Sequence, residues 1–111
     1  MLTIGKLKEF GADVDTGLSR CANNEELYIR LAGITVQELS SGALGKAIEE
    51  GDLDSAFQIA HKLKGGVTNL ALMPIAEPLC ELTELLRNKT PGNYETLYAE
   101  VIRRTNDLSS V

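Results

Sequence analysis

The sequence predicts an all-α protein, an antiparallel up-down four-helix bundle preceded by one or two short N-terminal helices. Three observations carry that prediction. Apolar residues recur with the three-and-four spacing of a buried helical stripe along most of the chain. No stretch alternates apolar and polar residues over the length of a strand, and runs of β-branched residues are missing. The striped segments are separated by short connections rich in Gly, Pro, Asn and Asp, which suit antiparallel neighbours.

In chain order, short helices are expected over 3–10 and 16–21. Asn23-Asn24-Glu25-Glu26 is a start signal of the capping-box kind, so a long helix begins near Asn24. It can run as far as Glu50, although Gly33 and Ser40-Ser41-Gly42 offer places for a kink or a break. Gly51-Asp52 then punctuates strongly, with glycine closing one helix and aspartate capping the next from Leu53. The following helix covers about 74–87 and carries Ile75, Leu79, Leu82, Leu85 and Leu86 on one side. Pro74 suits its first turn, whereas Pro78 removes a backbone bond and should tighten or bend the opening. Thr90-Pro91-Gly92-Asn93 makes a turn, and Asn93 caps a last helix striped by Tyr94, Leu97, Tyr98, Val101, Ile102 and Leu108.

A chain of 111 residues is expected to form one domain over 1–111, with room for a single core and none for an added catalytic domain. Its hydrophobic fraction of 43% argues against disorder, and the absence of Trp leaves Leu, Ile, Val and Ala to build the core. A net charge of -5 argues against nucleic acid as a partner and favours a monomer. No run of about 18 apolar residues exists, and Met1-Leu2-Thr3-Ile4-Gly5-Lys6 lacks the apolar stretch of a signal peptide. No membrane contact and a cytoplasmic location are therefore expected. Met1 and the polar finish Ser109-Ser110-Val111 lean towards a free-standing protein rather than a piece of a larger kinase. Cys21 and Cys80 fit neither a metal pattern nor a redox pair and are read as reduced, core-facing residues; no metal site is expected.

The chemistry concentrates in Ala60-His61-Lys62-Leu63-Lys64-Gly65-Gly66-Val67-Thr68-Asn69-Leu70. His61 is the one histidine of the chain, and a neutral imidazole is a competent nucleophile near neutral pH. Leu53, Ala56, Ala60, Leu63, Val67 and Leu70 fall into one arc of a helix, the core face. His61 lies about 120° from the centre of that arc, on an accessible flank, with Lys64, Gly65 and Thr68 as neighbours. Lys64 and Lys62 form a local basic spot on an acidic chain, suited to an added phosphoryl group. Gly65 and Gly66 each cost about 1 kcal/mol relative to alanine inside a helix, which close approach of a partner to His61 would explain.

His61-Lys62-Leu63-Lys64-Gly65, followed by Asn69-Leu70-Ala71-Leu72, resembles the signature of the histidine-containing phosphotransfer (HPt) domains of bacterial two-component phosphorelays. The resemblance extends to the stretch from Asp13 to Arg20, to Asn24-Glu25-Glu26-Leu27-Tyr28 and to Gly51-Asp52, and covers about residues 11–105. It implies that His61 accepts a phosphoryl group from a receiver-domain aspartate and passes it to another receiver. It further implies that Lys64 steadies that group and Gly65 leaves room for the docking receiver, so Lys62, Gly66, Thr68 and Asn69 join the docking surface. The partners it implies are response-regulator receiver domains and a hybrid sensor histidine kinase. No cofactor is expected on this chain; Mg²⁺ is expected on the receiver. Ala71 departs from the family, which commonly has glycine there, and this bears on the end of the helix. Gly66 stands where serine or alanine is usual.

Gly42-Ala43-Leu44-Gly45-Lys46 superficially resembles a phosphate-binding loop, but Ser40 occupies the first glycine position, Ala47 replaces the needed Ser/Thr, and no strand precedes it. No kinase activity of its own is expected. Two other readings stand beside the phosphorelay: a helical adaptor that binds receivers without phosphotransfer, and the phospho-accepting domain of a larger histidine kinase.

Overall fold

The computed structural model describes residues 2–109 and contains seven α-helices and no strand among them. Met1 and Ser110-Val111 lie outside the described residues. Two short helices, α1 (Ile4–Phe10) and α2 (Val14–Arg20), lead into α3 (Glu25–Ser40) and the short α4 (Ala43–Glu49). The bundle is completed by α5 (Leu53–Asn69), α6 (Met73–Arg87) and α7 (Tyr94–Ser109). Packing is most extensive between α5 and α6 and between α6 and α7, which short turns join; α3 rests on both α5 and α7.

Local chemistry starts these helices, and it starts α2 at Val14, two residues before the expected Thr16, because Asp13 caps it. The side chains of Thr3, Asp13, Asn24 and Asp52 each accept the backbone N–H three residues on, at 3.1, 3.3, 3.1 and 3.1 Å. The long segment after Asn24 does break. Gly42 adopts φ 83, the left-handed conformation that halts α3 and starts α4 in a new direction. Gly33, by contrast, leaves α3 continuous.

Pro78 neither breaks nor ends α6, which runs unbroken from Met73 to Arg87 with Pro78 buried. A proline has no N–H to give the carbonyl four residues back, here that of Pro74. Arg104 of α7 supplies the missing donor: its Nη1 reaches the Pro74 carbonyl at 2.7 Å. The same guanidinium holds Glu100 through Nε at 2.7 Å, so one side chain ties α7 to the opening turn of α6.

The core is a single cluster of Leu, Ile, Val and Ala with one buried tyrosine, as the composition requires. Tyr28 is wholly buried, and its hydroxyl donates to the Leu70 carbonyl at 2.8 Å. Gly17 makes that possible: a Cβ there would sit 2.5 Å from the Tyr28 ring and 2.7 Å from the Leu70 oxygen. Cys21 is buried and Cys80 half-buried, both as free thiols.

Candidate functional site

Helix α5 carries the site, and its far end is anchored from three directions. The last carbonyls of a helix have no partners within it. Arg20 Nη1 donates to the Thr68 carbonyl at 2.6 Å and lies 3.4 Å from that of Asn69, placing a cation where the helix dipole is negative. Tyr28 satisfies Leu70, and the Asp13 backbone N–H donates to the Ala71 carbonyl at 2.9 Å. Ala71 itself stands at φ 55, a left-handed conformation that a Cβ disfavours. That geometry explains why glycine suits this position.

Ala56, Ala60, Leu63 and Val67 are buried on the inner side of α5, so the arc read from the sequence is the core face. His61 is exposed on the outer side, as are Lys62, Gly65 and Asn69; Lys64, Gly66 and Thr68 are half-buried. Neither Lys62 nor Lys64 has an ion-pair partner among the described residues. Both ammonium groups are thus available to an anion. At Gly65 an added Cβ would meet nothing within 4 Å, so the surface beside His61 lies open.

Gly66 and Thr68 are half-buried and also have contacts within the fold. A Cβ on Gly66 would lie 3.5 Å from the Thr35 hydroxyl, so this glycine faces α3 and serves helix packing. The Thr68 hydroxyl is turned back onto its own helix, donating to the Lys64 carbonyl at 2.8 Å. Asn69 closes α5, two turns beyond His61.

Two residues at the site escape a reading of the motif alone. Phe57, one turn before His61, places its ring centroid 5.6 Å from the imidazole with the planes tilted by 37°. Arg87, at the end of α6, sets its guanidinium 5.0 Å from the Phe57 ring centre while its Nε contacts Glu84 at 3.2 Å. The four-residue spacing of Phe57 and His61 is a signal the sequence does contain. Nothing local announces Arg87, which only the packing of α6 on α5 brings near.

A hollow of about 820 Å³ lies elsewhere, walled by Arg20, Thr68, Met73, Cys80 and Arg104 among others, with no part of His61 in it. Among the described residues no cluster of three or more His, Cys, Asp or Glu side chains is arranged to hold a metal ion. No helix there is long and apolar enough to cross a membrane. The loop-like Gly42–Lys46 segment is the start of α4, and Gly45 is explained by packing: a Cβ would lie 2.5 Å from the Tyr98 ring.

The structure is a helical bundle that presents its one histidine, beside unpaired lysines, on the open surface of a buttressed helix rather than in a pocket. The family follows from comparison. The family model for the Hpt domain matches residues 30–109, and the chain belongs to that family. The match starts within α3 and takes in the whole of α4 to α7. The family is one of phosphocarriers: it serves histidine phosphotransfer in two-component phosphorelays and works with receiver domains and kinases. The chain matches no curated protein and no solved structure.

Proposed function

We propose that this protein is a phosphorelay intermediate in which His61 takes a phosphoryl group from the aspartyl phosphate of one receiver domain and delivers it to the aspartate of another. The observation that carries the reading is the exposed His61 beside the unpaired Lys64 and the open surface at Gly65, inside the region that matches the family. In the transfer, the imidazole lone pair forms a P–N bond as the acyl P–O bond breaks and the donor leaves as a carboxylate. The proton on the second ring nitrogen stays or departs to solvent. The Nε2 atom is the acceptor, because it is the nitrogen farther from the backbone.

Lys64 offsets the roughly two negative charges that arrive with the phosphoryl group. Its half-buried stem lets the ammonium reach back along the helix towards His61, the direction in which helical side chains lean. Phosphoryl transfer demands positioning and electrostatics more than covalent help from the protein, and the receiver's Mg²⁺ supplies the remaining charge stabilisation. The chain acts as a carrier with no nucleotide site, as a cytoplasmic monomer, between a hybrid sensor kinase and a response regulator.

The test uses a receiver domain charged with labelled phosphate. Label should move to this protein, prove acid-labile and base-stable, and be lost in His61→Gln. Equal labelling of the mutant would place the acceptor elsewhere and end the proposal. Lys64→Ala should slow transfer without changing the circular dichroism spectrum; unchanged transfer removes Lys64 from the chemistry.

A further inference from the structure

An exposed histidine on a helix surface ordinarily samples several rotamers on the picosecond to nanosecond scale. His61 is exposed, yet its imidazole has a neighbour on the preceding turn: the Phe57 ring, 5.6 Å away and tilted by 37°. Helical side chains lean towards the N-terminus, which carries the imidazole of His61 over the residue four positions back. Phe57 is in turn held. Its side chain is half-buried against the core, and the Arg87 guanidinium lies 5.0 Å from its ring centre. Arg87 is steadied by Glu84 on its own helix at 3.2 Å. The chain has 2 phenylalanines in all, so an aromatic ring beside the histidine is no by-product of an aromatic-rich surface.

We infer that Phe57 is a positioning residue for the phospho-acceptor: Arg87 fixes the Phe57 ring, and the ring selects the imidazole orientation from which the nucleophilic nitrogen points away from the helix. The inference rests on His61 being the acceptor. It links α6 to the reaction, because the clamp on the ring comes from α6 while the nucleophile stands on α5. Pre-selecting one orientation spares the transition state the cost of finding it. A helical histidine otherwise has about two χ1 wells and a two-fold χ2, so losing the selection should slow transfer by about four-fold and no more.

The experiment compares wild type with Phe57→Leu, Phe57→Tyr, Arg87→Ala and the Phe57→Leu/Arg87→Ala double variant. Each is phosphorylated by phosphoramidate, which needs no docking, and separately by a phosphorylated receiver. Phe57→Leu should be slowed about four-fold with both donors, with KM for the receiver unchanged, and Phe57→Tyr should recover the rate. Arg87→Ala should lie between, and the double variant should be no slower than Phe57→Leu, because Arg87 acts through the ring. Proton spectra add a readout that folding stability does not move: the Cδ2 and Cε1 protons of His61 should lose a ring-current shift in Phe57→Leu and keep it in Phe57→Tyr.

Phe57→Leu labelling as fast as wild type, or Phe57→Tyr as slow as Phe57→Leu, overturns the inference. So does a raised KM at unchanged kcat, which would make Phe57 a docking contact. A double variant slower than either single one would show that Arg87 acts on its own. Should wild type take label from neither donor, the acceptor role of His61 falls, an outcome distinct from failure of the Phe57 platform alone.

Discussion

Arg104 is the sharpest place to test how this fold is held, because its role follows from a proline on another helix. Pro78 leaves the Pro74 carbonyl without its helical donor, and Arg104 Nη1 fills the gap at 2.7 Å. A hydrogen bond from a charged donor contributes about 1.5–3 kcal/mol. The contact of Arg104 with Glu100 lies at the solvent-facing surface and adds little to that. Arg104→Met, which preserves the apolar stem, should therefore cost about 2–3 kcal/mol. Pro78→Ala restores an N–H to the carbonyl; its gain in helix propensity is offset by the buried ring it removes, so alone it should be nearly neutral. In the Pro78→Ala background the Pro74 carbonyl is already satisfied, and Arg104→Met should cost only about 1 kcal/mol. The coupling of about 1–2 kcal/mol is read from urea unfolding of the four proteins, followed by far-ultraviolet circular dichroism. In thermal melts each kcal/mol corresponds to about 3–6 °C for a chain of this size. Equal costs of Arg104→Met in the two backgrounds would refute the reasoning, because the arginine would then do nothing specific to the proline.

Four further outcomes are expected. Gly17→Ala should lower stability by about 2–4 kcal/mol, since its Cβ would sit 2.5 Å from the Tyr28 ring and push the hydroxyl off the Leu70 carbonyl; a melting temperature within 2–3 °C of wild type, roughly, would contradict this. Ala71→Gly should stabilise by about 0.5 kcal/mol in urea unfolding, as relief of the left-handed conformation at φ 55 outweighs the lost buried methyl; a loss above about 1 kcal/mol would reverse the argument. Gly65→Leu should leave the melting temperature nearly unchanged yet weaken receiver binding about ten-fold or more by titration calorimetry, because the side chain would project into open surface beside His61; undiminished affinity rejects close approach. Acid should destabilise the fold in a defined window. Hydrogen bonds from Arg103 and then Arg104 hold Glu100 down to about 2 from 4.5, while the Thr16 hydroxyl and amide lower Asp13 and those of Ser55 lower Asp52, both from 3.8. Folded values below unfolded ones mean a contribution complete above the unfolded values and lost as pH falls through the folded ones. Stability should thus decline from about pH 5 towards pH 2, and Glu100→Gln should flatten that decline; an unaltered acid limb in urea titrations would exclude Glu100 as a cause.

Much of the candidate site was legible because its logic is local. His61, Lys64 and Gly65 lie within two helical turns, and the exposed flank on which they stand follows from the apolar arc of Ala56, Ala60, Leu63 and Val67. The caps at Asn24 and Asp52 were equally readable, since a capping side chain bonds an amide three residues away, whereas the cap at Asp13 was missed and its helix expected only from Thr16. The helix edges of α5 and α6 fall within a residue of where caps and prolines put them. Gly65 and Gly66 show the limit. As neighbours in sequence they look alike, yet they project about 100° apart on the helix, one into open surface and the other against Thr35 of α3.

The amino-acid sequence by itself determined the all-helical class, the core stripe, the starts of the long helices at Asn24 and Asp52 and the flank on which His61 is exposed, because period and capping act over a few residues. Tertiary structure alone decided which backbone groups find distant partners. Arg20 and Tyr28 close the end of α5 from about 40–50 residues away, Arg104 repairs the gap left by Pro78, and Arg87 reaches the Phe57 ring from α6. These contacts join residues on different helices, and they exist only once packing has brought their helices together, so no local pattern can announce them.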